Sequence, residues 1–205
     1  MRDKFPCIHC ERYADDIVVH CRSLKQAPWI KAMVERRLRL CLLELHPEKT
    51  KIVFCKDSRH QGDWEHYSFD FLGFTFRPRS SRNYRGEFFI RFRPAISQKA
   101  IKRLRQTIRH VWRLTSKTHL DLWQIARHLN PIISDLINYY GRLYRSALHP
   151  VLNHINAALI KWAMRKFKRL RRRKTRARSW LKGVARRDPA LFVHWSHQGW
   201  MTRAV

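Results

Sequence analysis

The hydrophobic period changes at Pro94, and any fold for this chain has to provide different secondary structure on either side of it. Before Pro94 the apolar residues alternate. Ser68–Phe76 puts Leu72, Phe74 and Phe76 on one face, and Glu87–Phe92 does the same with Phe88, Ile90 and Phe92. The two segments read as a strand pair, with Leu72, Phe74 and Phe76 favoured as core. The polar, basic stretch Arg77–Gly86 between them reads as an exposed loop. Nearer the start, Glu11–Tyr13 and the β-branched run Ile17–Cys21 flank Ala14-Asp15-Asp16. That pattern is a hairpin with two acids at its tip. Trp29–Leu43 carries Ile30, Met33, Val34, Leu38 and Cys41 at helical spacing, and Lys51–Cys55 reads as a short strand.

After Pro94 the spacing is helical. Ser97 is an N-cap candidate, and Ile101, Leu104, Ile108, Val111 and Trp112 share one helix face. Lys99, Lys102, Arg103, Arg105 and Arg109 lie mostly outside that face. Leu120–Leu129 is a second helix. Asn130-Pro131 has the form of an N-cap followed by a first-turn proline, which starts a third helix bearing Ile132, Ile133, Leu136, Ile137 and Tyr140. His149-Pro150 repeats the device and opens a helix that runs into the basic stretch Lys161–Arg178. The fold class is α+β: antiparallel strands with a helix over about residues 1–94, then an all-α bundle over 95–205.

Charge follows the same division. The 205 residues hold 44 Lys+Arg against 15 Asp+Glu, a net charge of +29. Beyond Ser97 the acids are Asp121, Asp135 and Asp188 alone, while Lys161–Arg178 has a basic side chain at most positions and no acid. Such an excess repels itself unless a polyanion neutralises it, and nucleic acid is the leading candidate. At 44% hydrophobic and 12% aromatic, the chain is no disordered basic tail. No apolar run is long enough for a membrane span, and the first residues have no apolar signal segment. Five cysteines without the spacing of a secreted framework point to buried free thiols in a reducing, cytoplasmic compartment of bacterial type. Cys7-Ile-His-Cys10 with His20-Cys21 offers soft zinc ligands, but adjacent strand residues face opposite sides, which favours the free thiols.

Two adjacent acids on a hairpin turn have a plain reading, a solvated tip. They also have a chemical one. Phosphoryl transfer by two divalent ions about 3.5–4 Å apart needs hard oxygen ligands, because Mg²⁺ keeps an octahedral oxygen shell. Arg12-Tyr-Ala-Asp-Asp16 resembles the metal-binding turn of reverse transcriptases, in the form used by group II intron-encoded proteins. Leu43-Glu-Leu-His-Pro-Glu-Lys-Thr-Lys51 and Phe69-Asp-Phe-Leu-Gly-Phe74 are similar to the next two blocks of that family. Asn130-Pro-Ile-Ile through Asn138-Tyr-Tyr-Gly-Arg142 resembles the group II intron maturase-specific region. Lys161-Trp162 to Arg169, Trp180-Leu181 and Leu191-Phe192-Val-His-Trp195 are similar to its end.

The resemblance implies a C-terminal part of a reverse-transcriptase palm over 1–94 and a thumb and maturase region over 95–205. It implies Asp15, with Asp16 beside it, as ligand of catalytic Mg²⁺, Tyr13 and Ala14 near primer and nucleotide, and Lys49 near the triphosphate. Phe71, Leu72 and Gly73 would form a primer-supporting hairpin with the Phe88–Phe92 strand. Intron RNA and a DNA primer or target are the implied partners. The RNA footprint falls on Lys99, Lys102, Arg103, Arg105 and Arg109, and on Lys166, Lys168, Arg169, Arg171, Arg172, Arg173, Lys174 and Arg176. Trp162, Phe167, Trp180 and Tyr144 are candidates for base stacking, with Trp162 and Phe167 assigned rather to the core. The family's polymerase site draws a further aspartate from an earlier palm strand, and only twelve residues precede Tyr13. The chain is therefore expected to correspond to a C-terminal half, to lack polymerase activity alone, and to need an N-terminal partner. The alternatives are a non-catalytic RNA-binding splicing factor and an inactive truncated remnant.

Overall fold

A computed structural model describes residues 8–198. Cys7, half of the C-x₂-C pair, lies outside them. The described chain runs β1 (Cys10–Tyr13), β2 (Asp16–Val19), α1 (Gln26–Arg39), β3 (Phe69–Phe71), β4 (Phe74–Arg82), β5 (Phe88–Ile96), α2 (Gln98–Thr107), α3 (Leu122–Gly141), α4 (His149–Lys166), α5 (Lys174–Arg187) and α6 (Val193–Gln198). The strands form a two-stranded sheet, β1-β2, and a three-stranded sheet, β3-β4-β5. The α+β class stands.

The chain divides into two compact units. The first takes the chain up to Phe71 together with Arg77–Phe92, and the second takes Leu72–Phe76 together with everything from Arg93.

In the first unit β1 and β2 pair antiparallel, with Arg12 opposite Ile17 and Tyr13 opposite Asp16. Ala14 turns the chain at φ +49°. Helix α1 stops earlier than its apolar spacing suggests. Leu42 reverses the chain at φ +57°, and the Leu43 N–H closes back on the Leu38 carbonyl at 2.9 Å, which satisfies an orphan helix-end acceptor. Lys51–Cys55 is extended but builds no ladder. Its bonds go singly to loop groups, as from Phe54 N–H to the His66 carbonyl at 2.9 Å. Among the described apolar residues of this unit, Ile30 alone is fully buried.

The strand pair differs from the alternation reading. Leu72 is not on a strand face. Leu72 and Gly73 have φ of +50° and +77° and make the two-residue loop between β3 and β4. The expected Arg77–Gly86 loop is strand as far as Arg82, because backbone pairing carries it regardless of side-chain polarity. The turn that remains is held by Asn83, whose N–H and side-chain carbonyl both bond Glu87, and by Gly86 at φ +87°. Phe92 stacks on Phe69 at 6.1 Å, while Phe88 and Ile90 stay exposed.

The second unit carries the dense core. Ser97 caps α2 through the Ala100 N–H. The helix then widens into a π-turn at Ile108–Trp112. That wider turn keeps Ile108 and Trp112 buried and swings Val111 out to solvent, so the apolar face inferred for Val111 is wrong. Helix α3 does not restart at Asn130. It begins at an Asp121–Gln124 capping box and runs unbroken through Pro131. Helix α4 opens with Pro150 in its first turn, as expected, and buries Val151, Leu152, Ile155, Leu159 and Trp162. Lys161–Arg178 is not one helix. Phe167 is extended, Lys168–Leu170 forms a short 3₁₀ turn that buries Leu170, and Arg172 reverses the chain at φ +60° before α5 starts. A break here separates like charges that a continuous helix would stack one turn apart.

Candidate nucleic-acid interface

The acidic tip is exposed throughout. Tyr13, Ala14, Asp15 and Asp16 all face solvent, and the Arg12 Nε–H braces the turn by donating to the Ala14 carbonyl at 3.1 Å. No ion pair of the described residues engages Asp15 or Asp16. Their chemistry fits a hard divalent cation: two adjacent oxygen anions on a rigid turn. Their number does not fill an octahedral shell, and among the described residues no group of three potential metal ligands exists. Lys49 lies exposed in the turn closed by the Thr50 N–H on the His46 carbonyl at 3.0 Å. No hydrogen bond or ion pair among the described residues links it to the tip.

The Leu72-Gly73 loop is locked from the helical unit. The Tyr139 hydroxyl donates to the Leu72 carbonyl at 2.9 Å, and the Ser97 N–H donates to the Gly73 carbonyl at 2.9 Å. Phe74 packs on Tyr139 and Tyr140, with centroids 5.3 and 5.2 Å away. Burial, with Tyr139 adjacent, pushes the Tyr140 phenol up, and Arg103 opposes that shift. The Leu72 side chain is left facing out on a fixed loop.

The basic residues fall into two classes. Lys99, Lys102, Arg103, Arg105, Arg109, Lys168, Arg169, Arg171, Arg172, Arg173, Lys174 and Arg176 are exposed, and none pairs with an acid of the described residues. Lys166 is different and leaves the proposed footprint. Its ammonium donates to the Thr118 carbonyl at 2.9 Å and the Leu120 carbonyl at 2.6 Å, and lies 5.6 Å from the Trp162 ring. It fastens the segment before α3 to the end of α4.

The aromatic candidates sort the same way. Trp162 is buried, its Nε1–H donates to the Lys117 carbonyl at 3.1 Å, and Phe167 bridges it to Trp180. These rings are core, as read for Trp162 and Phe167. The thiols Cys10, Cys21, Cys41 and Cys55 are free, but only Cys10 is partly buried; the other three are exposed, against the expectation of burial.

One cluster escaped the sequence reading. His154 on α4 is half-buried, and its imidazole is held below its ordinary value by burial first, then by Arg105, Arg109 and Lys161. Cations from α2, the π-turn and α4 therefore converge on one histidine. The sequence signal was present only as basic residues spread over three segments, Arg105 on α2, Arg109 in the π-turn and His154 with Lys161 on α4.

Residues 1–76 match the family model for the reverse transcriptase (RNA-dependent DNA polymerase), and residues 101–180 match that for the group II intron, maturase-specific domain. No curated protein and no solved structure matches the chain.

Proposed function

The chain belongs to the group II intron-encoded reverse transcriptase/maturases, and we propose that its own share of that work is to grip intron RNA through the basic helical unit while the hairpin tip supplies metal ligands to nucleotidyl transfer. The observation that carries the reading is the order of parts: an exposed Tyr-Ala-Asp-Asp hairpin, then a densely packed helical unit on which Lys99, Lys102, Arg103, Arg105, Arg109 and the exposed cations from Lys168 to Arg176 pair with no acid of the described residues. Exposed arginines and lysines without a neighbouring acid gain most from a phosphate backbone, whose binding releases condensed counterions.

In a complete polymerase, Asp15 and Asp16 would hold a divalent cation, which supplies charge neutralisation at the reacting phosphate. The remaining ligands then come from water, from substrate phosphates or from residues beyond those described. The turn holds the carboxylates without an ion pair to any cation of the described residues. Tyr13 is exposed directly opposite Asp16 in the ladder, which supports a role for it beside a primer end. Phe71 and the Leu72-Gly73 loop, held by Tyr139 and Ser97, offer a stiff support for a primer strand. Lys49 is assigned to the triphosphate on the motif alone.

The test is a salt titration. The purified chain is expected to bind a structured RNA, with affinity falling by roughly 10³ or more between 50 and 200 mM salt if six or more phosphates are contacted. Asp15→Ala leaves that binding unchanged. Primer extension is expected only when a polypeptide carrying the upstream palm aspartate is added, and Asp15→Ala abolishes it. RNA affinity that is flat across that salt range overturns the grip. cDNA made by the Asp15→Ala variant overturns the metal role.

A further inference from the structure

Helix α5 has an outer face that its own stability does not explain. Ala177, Leu181 and Ala185 are buried. With 3.6 residues per turn, the opposite side carries Arg176, Ser179, Gly183 and Arg186. A glycine inside a helix destabilises it relative to alanine, through backbone entropy and lost side-chain cover. Two internal reasons ordinarily retain one. Either the backbone is left-handed, or a neighbour fills the space of the β-carbon. Gly73 has both, at φ +77° with Tyr140 in the way, and Gly141 has Leu148 Cδ1 at 3.3 Å from its β-carbon position. Gly183 has neither. It is helical, and among the described residues no heavy atom lies within 4 Å of where its β-carbon would stand.

The described residues hold no internal reason for the missing side chain. Arg176 and Arg186 are exposed and stand about 15 Å apart along the helix axis. Ser179 and Gly183 between them are the small residues of this face, with an arginine one to two turns away on either side. No acid lies within α5. Arginine presents a planar fork matched to phosphate oxygens, and a serine hydroxyl bonds phosphate or ribose. We infer that the Arg176–Ser179–Gly183–Arg186 face is a contact surface for the sugar–phosphate backbone of RNA, with Gly183 at the point of closest approach. The inference rests on the RNA-binding reading and adds where a strand lies and why a glycine lies beneath it.

The experiment measures the full chain, Gly183→Ala and Gly183→Lys side by side, for thermal stability and for binding of a fluorescein-labelled double-stranded RNA hairpin across a salt series. Open space and better helix propensity raise the Tm of both variants, by about 2–4 °C for Gly183→Ala. RNA affinity moves the other way. Gly183→Ala is expected to bind about threefold more weakly, and Gly183→Lys about tenfold more weakly despite its added positive charge. Charge attraction without close approach predicts the reverse for Gly183→Lys: tighter binding and a log–log salt slope steeper by about one. That result, or unchanged affinity in both variants, overturns the inference and leaves the RNA grip standing. Failure of the parent chain to bind the hairpin overturns the functional reading and this inference with it.

Discussion

The phenolic oxygen of Tyr140 lies 2.8 Å from the point a β-carbon on Gly73 would occupy. Gly73 is also at φ +77°, where an L side chain is strained. Gly73→Ala therefore has to displace a ring already packed on Phe74 and Tyr139 and to adopt a disfavoured backbone. The expected cost is about 1–3 kcal/mol, read from the midpoint of urea denaturation. Equal stability of parent and variant would show the loop free to shift away from Tyr140.

Much of this was legible in the residues. Ser97 as cap, the hairpin around Asp15 and the Pro150 start of α4 follow from local chemistry that acts within a few residues. The errors have separate causes. Asn130 looks like a cap because its side chain bonds backbone groups, and it does, but on Leu191 and Val193, far along the chain. Leu72 fits the alternation until Gly73 beside it requires a loop. Val111 keeps helical spacing until the π-turn shifts the phase.

Asn130 is the clamp on the last described segment. Its amide donates to the Leu191 carbonyl at 2.9 Å and accepts from the Val193 N–H at 3.2 Å. Asn130→Ala leaves both backbone groups without those partners. A loss of about 1–3 kcal/mol is expected, with faster hydrogen exchange at Val193 than in the parent. Unaltered protection at Val193 would mean the segment is held by packing alone.

Lys166 and Lys174 look alike in sequence, two cations in one basic run, and the structure gives them opposite work. Lys166→Ala removes two charge-assisted bonds to carbonyls and is expected to cost about 1–3 kcal/mol of stability while leaving the salt slope of RNA binding unchanged. Lys174→Ala leaves stability within about 0.5 kcal/mol and lowers that slope by about one. A slope change in Lys166→Ala would return it to the RNA footprint. Composition alone cannot make this distinction, because which cation is turned inward depends on where the 117–120 segment passes.

Buried His194 sets an acid limit on the helical unit. Trp195 Nε1, which can only donate, reaches Asn156 Oδ1 at 3.0 Å, so that oxygen is an acceptor. His194 Nε2, 2.8 Å from the same oxygen, must then carry the proton, and Nδ1 is left bare and without a partner. Burial first, and His197 second, hold the imidazole at about 3 instead of 6.5. Between those values a proton binds the unfolded chain and not the folded one. Stability is therefore complete above 6.5, falls as pH drops below it, and levels off near 3. The slope is about 1 kcal/mol per pH unit, and His197 and His154, also held below their ordinary values, add in the same direction. His194→Phe keeps the Trp195–Asn156 bond and removes the titrating group. Urea midpoints measured from pH 7 to pH 5 are expected to fall more steeply in the parent than in the variant, and parallel curves would show that the folded unit admits the proton at little cost.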